Sequence, residues 1–186
     1  MATKREILKE ALKLFAKKGY ARTSLEEIAN NVGITKPAIY YHFKNKQHLY
    51  NEIFIEHFSK LKCEFKNSLE ENLKAYIDRI ADMFLTNKDL ARLFARELVC
   101  EATHLEEETI KEISKTIKHL AKILQDTDIN PFFIQTLIMS SFTNYLNTLS
   151  LREKVKDLLN SPTLVKDFDI KEEIYKTLIL YIKAHK

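Results

Sequence analysis

Hydrogen-bonding side chains are concentrated between residues 35 and 46, and they are the groups in this sequence best suited to chemistry. The stretch combines hydroxyl, ammonium and imidazole groups, carried by Thr35, Lys36, Tyr40, Tyr41, His42 and Lys46. Such groups donate hydrogen bonds to phosphate oxygens, and a lysine can also donate to O6 and N7 of guanine. Their types and spacing therefore predict contacts with the backbone and base edges of a nucleic acid.

The charge of the chain is distributed unevenly around this stretch. The first 48 residues hold ten Lys and Arg against four Glu, whereas the other 138 hold 20 basic and 22 acidic residues. The overall charge of +4 therefore combines a basic head with a slightly acidic body, a distribution that favours a polyanionic partner for the head. A lysine-rich solvated surface would give the same charge, so charge alone does not decide between the two.

Three predicted helices position the hydrogen-bonding stretch, and the first two are recognised from apolar periodicity and capping residues. Apolar residues recur at helical spacing between residues 7 and 15, and Gly19 can end that helix in a left-handed cap. Ser24 and Glu27 have the spacing of a capping box at the start of a short second helix. Gly33 interrupts that second pattern and predicts a turn.

The third predicted helix follows directly after this glycine turn. Thr35 is a suitable N-cap residue, and Pro37 falls in the first turn, where its missing N–H does no harm. Ile39 and Phe43 are expected to face inward. Two short helices joined through a glycine and braced by a longer helix are typical of a helix-turn-helix.

Two segments of this region resemble the DNA-binding domain of TetR/AcrR-type transcriptional repressors. They are residues 19–29 (GYARTSLEEIA) and residues 32–46 (VGITKPAIYYHFKNK), the second of which carries a Tyr-x-His-Phe-x-x-Lys run. The resemblance covers about residues 4–54, and one departure from it is Pro37, where relatives often carry glycine. The rest of the chain resembles the family only in length and helical character.

The resemblance implies an all-α protein with two parts and a defined set of DNA contacts. Residues 1–46 would form the helix-turn-helix domain, and residues 47–186 a helical domain for effector binding and dimerisation. The third helix would enter the major groove while neighbouring elements bind phosphates. The expected DNA-binding residues are Thr23, Ser24, Thr35, Lys36, Pro37, Ala38, Tyr40, Tyr41, His42 and Lys46.

The resemblance also implies a small, largely apolar effector in the second part of the chain. Its expected contacts are Phe58, Phe84, Phe94, Arg96, Phe142, Asn144 and Tyr145. Aromatic residues at helical spacing are more often plain core than ligand contacts. Ligand binding would favour a conformation that no longer fits the operator, which is a repressor released by its effector. A regulator that binds DNA constitutively and senses nothing is the alternative.

The helix that follows Pro131 predicts a dimer. Residues 132–151 carry no charge and include the apolar or small side chains Met139, Ser140, Phe142, Thr143 and Leu146. Apolar surface beyond what a monomer can hide is typical of an interface. In the resembling family the last two long helices pair across a two-fold axis, and such a homodimer would require a palindromic operator.

Hydrophobic periodicity predicts six further helices between the third helix and the end of the chain. The first is one long helix from Lys46 to about Leu69. The others cover residues 73–85, 89 to about 102, about 107–124, 132 to about 149, and 169–185, with a looser connection at Ser161-Pro162.

The composition argues against an enzyme and against a membrane protein. With two glycines in 186 residues, the chain has none of the GxGxxG, GxxxxGK[ST] or GxSxG motifs of common nucleotide and hydrolase sites. No nucleophile or paired carboxylates stand at convincing spacing, so we expect neither catalysis nor a cofactor. Cys63 and Cys100 are too few for a disulfide framework, and no apolar run could span a bilayer. A cytoplasmic protein is expected.

One group of possible metal ligands has a simpler interpretation. Cys100, His104, Glu107 and Glu108 are spaced so that a thiolate, an imidazole and carboxylates could share a helical face, as in zinc sites. A helix break expected near Thr103 would separate them, and glutamates suit the first turn of a solvated helix. We therefore expect no metal site.

Overall fold

Ten α-helices and no strand make up the part of the computed structural model that is described, residues 3–61, 64–159 and 168–185. The predicted all-α fold is confirmed. In chain order the helices are α1 (Lys4–Lys18), α2 (Leu25–Val32), α3 (Lys36–His42), α4 (Lys46–Phe58), α5 (Leu69–Leu85), α6 (Lys88–Val99), α7 (Glu107–Ile123), α8 (Pro131–Asn147), α9 (Leu149–Leu159) and α10 (Ile170–Ala184). Within those ranges every helix falls short of the length and apolarity that a bilayer crossing demands.

One compact unit combines the described part of residues 1–60 with residues 92–115. Within it α1 packs against α2 and α4, and α2 packs against α3. Thr3 and Glu6 form a reciprocal capping box at the start of α1. Aliphatic and aromatic side chains from all four helices fill the core, among them Ile7, Leu12, Phe15, Ile28, Ile39, Leu49, Tyr50 and Phe54. This unit contains every helix predicted to bind DNA.

The described parts of residues 61–91 and 116–186 form the second compact unit. Here α5 packs against α8 and α10, and α8 packs against α10. The core is mostly apolar and contains a buried hydrogen-bonded group, in which the Tyr76 hydroxyl donates to Gln135 Oε1 and Gln135 Nε2 donates to Thr116 Oγ1 at 3.2 Å. Because buried polar groups are costly unless they are hydrogen-bonded, this group fixes how α5, α7 and α8 meet.

The single long helix predicted from Lys46 to about Leu69 is wrong. α4 ends at Phe58, and α5 begins at Leu69 after the N-cap Ser68, whose hydroxyl accepts the N–H of Glu71 at 3.2 Å. The described residues between them, 59–61 and 64–68, are not helical. The side chain of Asn72 bonds both the N–H and the carbonyl of Lys66, at 2.6 and 3.1 Å, which holds that backbone in a non-helical path.

The end of α6 and the presence of α9 also differ from the prediction. α6 ends at Val99 rather than near residue 102, because Glu101 and Ala102 take positive φ values of 55° and 56°. This confirms the expected break near Thr103. α9 was not predicted, since charged residues interrupt its periodicity and none of its residues is buried. The connection predicted at Ser161-Pro162 lies outside the described residues, as does Cys63.

The surface of α8 is only partly the one predicted. Met139, Phe142 and Thr143 are buried within the second unit, because α8 turns that side toward the core. Of the predicted group, Ser140 is exposed and Leu146 is half-buried. The exposed apolar side chains of α8 are instead Phe132, Phe133 and Leu137.

The compact units do not divide at residue 46, where the change of function was predicted. α4 begins at Lys46 and extends beyond that position to Phe58, yet it packs against α1 in the first unit. Residues 92–115, from the second half of the chain, belong to the same unit. The division into a DNA-binding part, 1–46, and an effector-binding part, 47–186, stays a prediction about function.

Candidate nucleic-acid interface

Gly33 forms the turn between the two short helices, as predicted. Its φ of 77° and ψ of 33° lie in the left-handed helical region. Its N–H donates to the carbonyls of Ala29 and Asn30, and the N–H of Ile34 donates to Ala29 O at 3.0 Å. These bonds satisfy the last carbonyls of α2 and turn the chain directly into α3.

α3 separates an inward face from a solvent face, as the pattern predicted. Ile39 is fully buried and Phe43, directly after the helix, is 1% exposed. Tyr40 and Tyr41 remain 49% and 87% exposed, and His42 is half-buried, with its ring edge-on to that of Tyr41 at 5.1 Å. Aromatic side chains with polar groups at their tips therefore cover the solvent face of α3 near its carboxyl end.

The amino end of α3 is also open to solvent. Thr35 takes the backbone conformation of an N-cap, but its side chain makes no capping hydrogen bond, so that part of the prediction is wrong. Lys36 and Pro37 are exposed and Ala38 is half-buried. A lysine and two small apolar side chains are thus presented together, beside a hydroxyl that is not used to cap the helix.

The amino end of α2 differs from the predicted capping box. Ser24 accepts the N–H of Glu27 at 3.1 Å, but the Glu27 carboxylate pairs with Lys18 Nζ instead of returning to Ser24. Thr23 is buried, and its hydroxyl donates to Gly19 O at 2.9 Å. Only Ser24 therefore presents an exposed hydroxyl at this helix end, where backbone N–H groups attract anions.

Gly19 ends α1 with φ 82° and ψ 168°. The positive φ agrees with the prediction, but the ψ value lies outside the left-handed helical region. This combination is open almost exclusively to glycine. Its N–H still satisfies the carbonyl of Phe15, at 2.8 Å.

Lys46 is anchored inside the first unit. Its Nζ donates to Tyr20 O at 2.9 Å and to Thr23 O at 3.0 Å, and it lies 4.2 Å from the centroid of the Tyr20 ring. Burial lowers the pKa of this ammonium group. Two of its three N–H donors are thus engaged in holding the loop between α1 and α2 against the start of α4.

His48 stabilises the connection from α3 to α4, a role that the sequence did not reveal. Asn45 caps α4 by accepting the His48 N–H at 2.7 Å, and His48 Nδ1 accepts the backbone N–H of Lys44 at 3.3 Å. Lys44 itself is exposed. An Asn-x-x-His spacing at a predicted helix start is the only signal that could have indicated this loop.

The residues predicted to contact an effector belong to both compact units. Phe58 and Phe94 are buried in the first unit with their ring centroids 5.6 Å apart, and Arg96 is exposed there. Phe84 and Phe142 are buried in the second unit, where Asn144 is exposed and the Tyr145 ring lies 3.9 Å from the Arg152 guanidinium carbon. Their role in ligand binding stays a prediction.

The possible metal ligands do not come together in the described part of the chain. No group of three or more His, Cys, Asp or Glu side chains there is placed to hold an ion. His104 Nδ1 is instead 2.8 Å from Glu97 Oε1, while Cys100 is exposed.

Comparison with known proteins agrees with this geometry. Residues 7–53 match the family model described as bacterial regulatory proteins, tetR family. The chain is 50% identical to the HTH-type transcriptional regulator AcrR of Shigella flexneri over 52 residues, which are 28% of this chain and 24% of that protein. The matches to the first curated relatives thus span only about a quarter to a third of their length.

Other relatives align over nearly the whole chain, at lower identity. The chain is 26% identical to the biofilm operon negative transcriptional regulator IcaR of Staphylococcus aureus, covering 97% of this chain and 99% of that protein. The structure of the regulator FadR from Bacillus subtilis, in complex with stearoyl-CoA, superposes with a TM-score of 0.67 at 18% identity over 97% of this chain and 98% of that one. The second of these similarities shows a shared fold.

Proposed function

Because residues 7–53 match the family model of bacterial tetR-family regulatory proteins, we propose that this chain is a helix-turn-helix regulator of that type, which binds a specific operator and represses transcription from it. The observation that carries the proposal is the solvent face of α3, on which Lys36, Pro37, Tyr40 and Tyr41 are all exposed while Ile39 anchors the helix in the core. A helix presented in this way can enter a major groove. Repression rather than activation is supported by IcaR, which is named a negative transcriptional regulator, and by a relative from Escherichia coli named a probable operon repressor.

The residues on α3 divide into base-reading and backbone-binding groups. Lys36 and the small apolar side chains of Pro37 and Ala38 lie at the amino end, which faces base edges in helix-turn-helix proteins. Tyr40 and Tyr41, with His42, would donate to phosphates, together with Ser24 at the start of α2. Thr23 would act only indirectly, because its hydroxyl donates to Gly19 O and its backbone N–H to Tyr20 O. Lys46 has one remaining donor for a phosphate.

Lys36→Ala and Tyr40→Phe are expected to weaken operator binding without unfolding the protein. A lysine that donates to guanine contributes about 1–3 kcal/mol of discrimination, so Lys36→Ala should lower affinity roughly 5- to 150-fold. Tyr40→Phe removes one hydroxyl and should lower affinity by a few-fold, about 1 kcal/mol. A mobility-shift titration measures both, with Lys88→Ala, on the exposed start of α6, as a charge-matched control. Wild-type affinity in both variants would remove these residues from the interface.

We further propose that the protein acts as a homodimer on a palindromic operator. Exposed apolar side chains on α8 and on its neighbour α10 support this: Phe132, Phe133, Leu137 and Leu180. Apolar surface on two packed helices suits a symmetric, self-complementary contact. Two recognition helices would then lie about one turn of DNA apart, roughly 34–36 Å.

A small apolar effector that releases the operator is the remaining part of the proposal. The fold shared with FadR, which was solved with stearoyl-CoA, supports binding of such a ligand by this chain. The effector must bind the DNA-free conformation more tightly than the DNA-bound one, because only differential affinity can shift the equilibrium.

Selection of bound fragments from genomic DNA tests the whole proposal. We expect one enriched palindromic sequence, binding that falls steeply with salt because counterions are released, and reversal by a compound in a library of fatty acids, acyl-CoA esters and drugs. Enrichment of no sequence would refute operator binding. A selected operator whose binding no compound reverses would instead favour a constitutive, cytoplasmic regulator without an effector.

A further inference from the structure

The turn between α6 and α7, residues 100–106, has a strained backbone and lies in the same compact unit as the DNA-binding helices. We refer to it as the α6–α7 corner. Glu101 and Ala102 both have positive φ, and the Ala102 N–H donates to Glu97 O at 2.8 Å. Non-glycine residues in this region cost about 1–3 kcal/mol each and persist only where the surroundings hold them.

Two amide side chains of α4 hold the backbone of this corner. Gln47 Nε2 and Asn51 Nδ2 both donate to the carbonyl of His104, the second at 3.0 Å. Asn51 Oδ1 accepts the N–H of Glu106 at 2.8 Å. Since Asn51 is buried, its amide replaces the backbone partners that a helix or strand would have supplied to the corner.

A buried carboxylate, that of Glu97, holds the His104 side chain of the corner. Glu97, only 2% exposed, accepts the Tyr50 hydroxyl at 2.6 Å and lies 2.8 Å from His104 Nδ1. The desolvation of Tyr50, reinforced by its bond to Glu97, raises the pKa of this phenol, which therefore stays a donor. Tyr50 lies on α4, and its ring packs edge-on against Phe15 of α1 at 4.9 Å.

The corner also contacts the loop that leads into α2. The Tyr20 ring lies 4.4 Å from the His104 ring, and the Tyr20 hydroxyl donates to Gln47 Oε1 at 2.8 Å. The Tyr20 carbonyl accepts from Lys46 Nζ. Gln47 therefore joins three segments at one point: the loop before α2, the first turn of α4, and the corner.

We propose that Gln47 and Glu97 are positioning residues for DNA binding, which orient the helix-turn-helix through the α6–α7 corner without touching DNA. The inference rests on the proposed operator binding. The loop at Tyr20 leads directly into α2, and α4 follows directly after α3, so these two segments bracket the helix-turn-helix in the chain. Fixing both against one corner fixes the angle at which α3 is presented. Base reading requires that angle, whereas attraction to phosphates does not.

Gln47→Ala in the full chain tests this proposal, because Gln47 is half-exposed and its truncation leaves the core intact. The loss of its two hydrogen bonds should lower affinity for the selected operator about tenfold. Affinity for a random-sequence duplex should stay within about twofold of wild type, since phosphate attraction is independent of sequence. Glu56→Ala, also on α4, removes an exposed ion pair with Lys60, which lies just after the helix; it is the matched control and should change neither affinity.

Glu97 provides a second, independent comparison. Glu97→Gln keeps an acceptor for the Tyr50 hydroxyl and should retain operator affinity within about threefold, whereas Glu97→Leu leaves that hydroxyl unpaired and should lose tenfold or more. Stoichiometric titration gives the active fraction of each variant. If Gln47→Ala lowers only the active fraction and binds the operator with wild-type affinity, the residue is merely structural and the proposal is wrong. A wild-type protein that selects no operator would instead refute the proposed function.

Discussion

Gly33→Val is expected to reduce operator affinity more than almost any single substitution on the surface of α3. The backbone at Gly33 is left-handed, with φ 77° and ψ 33°. An L-residue pays about 1–2 kcal/mol for this conformation, and a β-branched side chain pays more because its χ1 is already restricted. To relieve that strain the turn must change its dihedrals, which moves α3 relative to α2. We expect a loss of at least about 100-fold, since the angle of the recognition helix affects all its contacts together.

A substitution series at Gly33 separates backbone strain from a steric clash. A Cβ added there would meet no atom within 4 Å, so size alone should not matter. Asparagine, which tolerates the left-handed region, should therefore bind nearly as well as glycine, with alanine intermediate and valine worst. Mobility-shift titration and thermal unfolding would be measured for all four proteins. Equal affinity for valine and glycine would show that the left-handed turn is not needed for binding.

Leu180→Glu is expected to dissociate the proposed dimer and to abolish tight operator binding. Leu180 is 69% exposed on α10, so a carboxylate there costs the isolated protomer little. In a symmetric interface, however, each dimer would bury two unpaired charges, and each costs several kcal/mol. We expect a monomer in analytical ultracentrifugation. Operator affinity should fall by about 100-fold or more, equivalent to roughly 3 kcal/mol, because the helix-turn-helix of a single protomer must then supply the binding energy.

Leu158→Glu provides a matched control for this prediction. Leu158 is 84% exposed on α9, a helix without any buried residue, so the chemical change and the exposure are comparable. This variant should remain dimeric and bind the operator as the wild type does. Should Leu158→Glu dissociate the protein while Leu180→Glu does not, the dimer would form through α9 and the proposed interface would be wrong.

The DNA-binding helices could be predicted from sequence because local signals determine them. Gly33, Pro37 and the alternation of buried Ile39 with exposed Tyr40 and Tyr41 each act within one turn of the chain. The prediction was wrong where a residue from another helix competes for the same group. The Glu27 carboxylate has the spacing of a capping box, but Lys18 competes for it from a preceding helix.

The second half of the chain shows where periodicity ceases to be informative. Leu61 and Phe65 continue the helical pattern of α4, yet the side chain of Asn72 holds the backbone at Lys66 outside a helix. Periodicity also cannot tell which side of a uniformly apolar helix is buried. The side of α8 that carries Phe142 therefore could not be distinguished from the side that carries Phe133 until the packing of α5 and α10 was known.

The first compact unit is discontinuous in sequence, and this has a consequence for synthesis of the protein. Residues 1–60 leave the ribosome well before residues 92–115, with which they share a core. At about 5–20 residues per second, residues 1–60 wait roughly 2–9 seconds for Glu97 and His104 to emerge. During that interval the Tyr50 hydroxyl lacks Glu97, and the Asn51 amide lacks its partners in the α6–α7 corner. Long-range closure of this kind slows folding, so a nascent chain stalled before residue 97 should present a head that is more readily cut by protease than one stalled after residue 115.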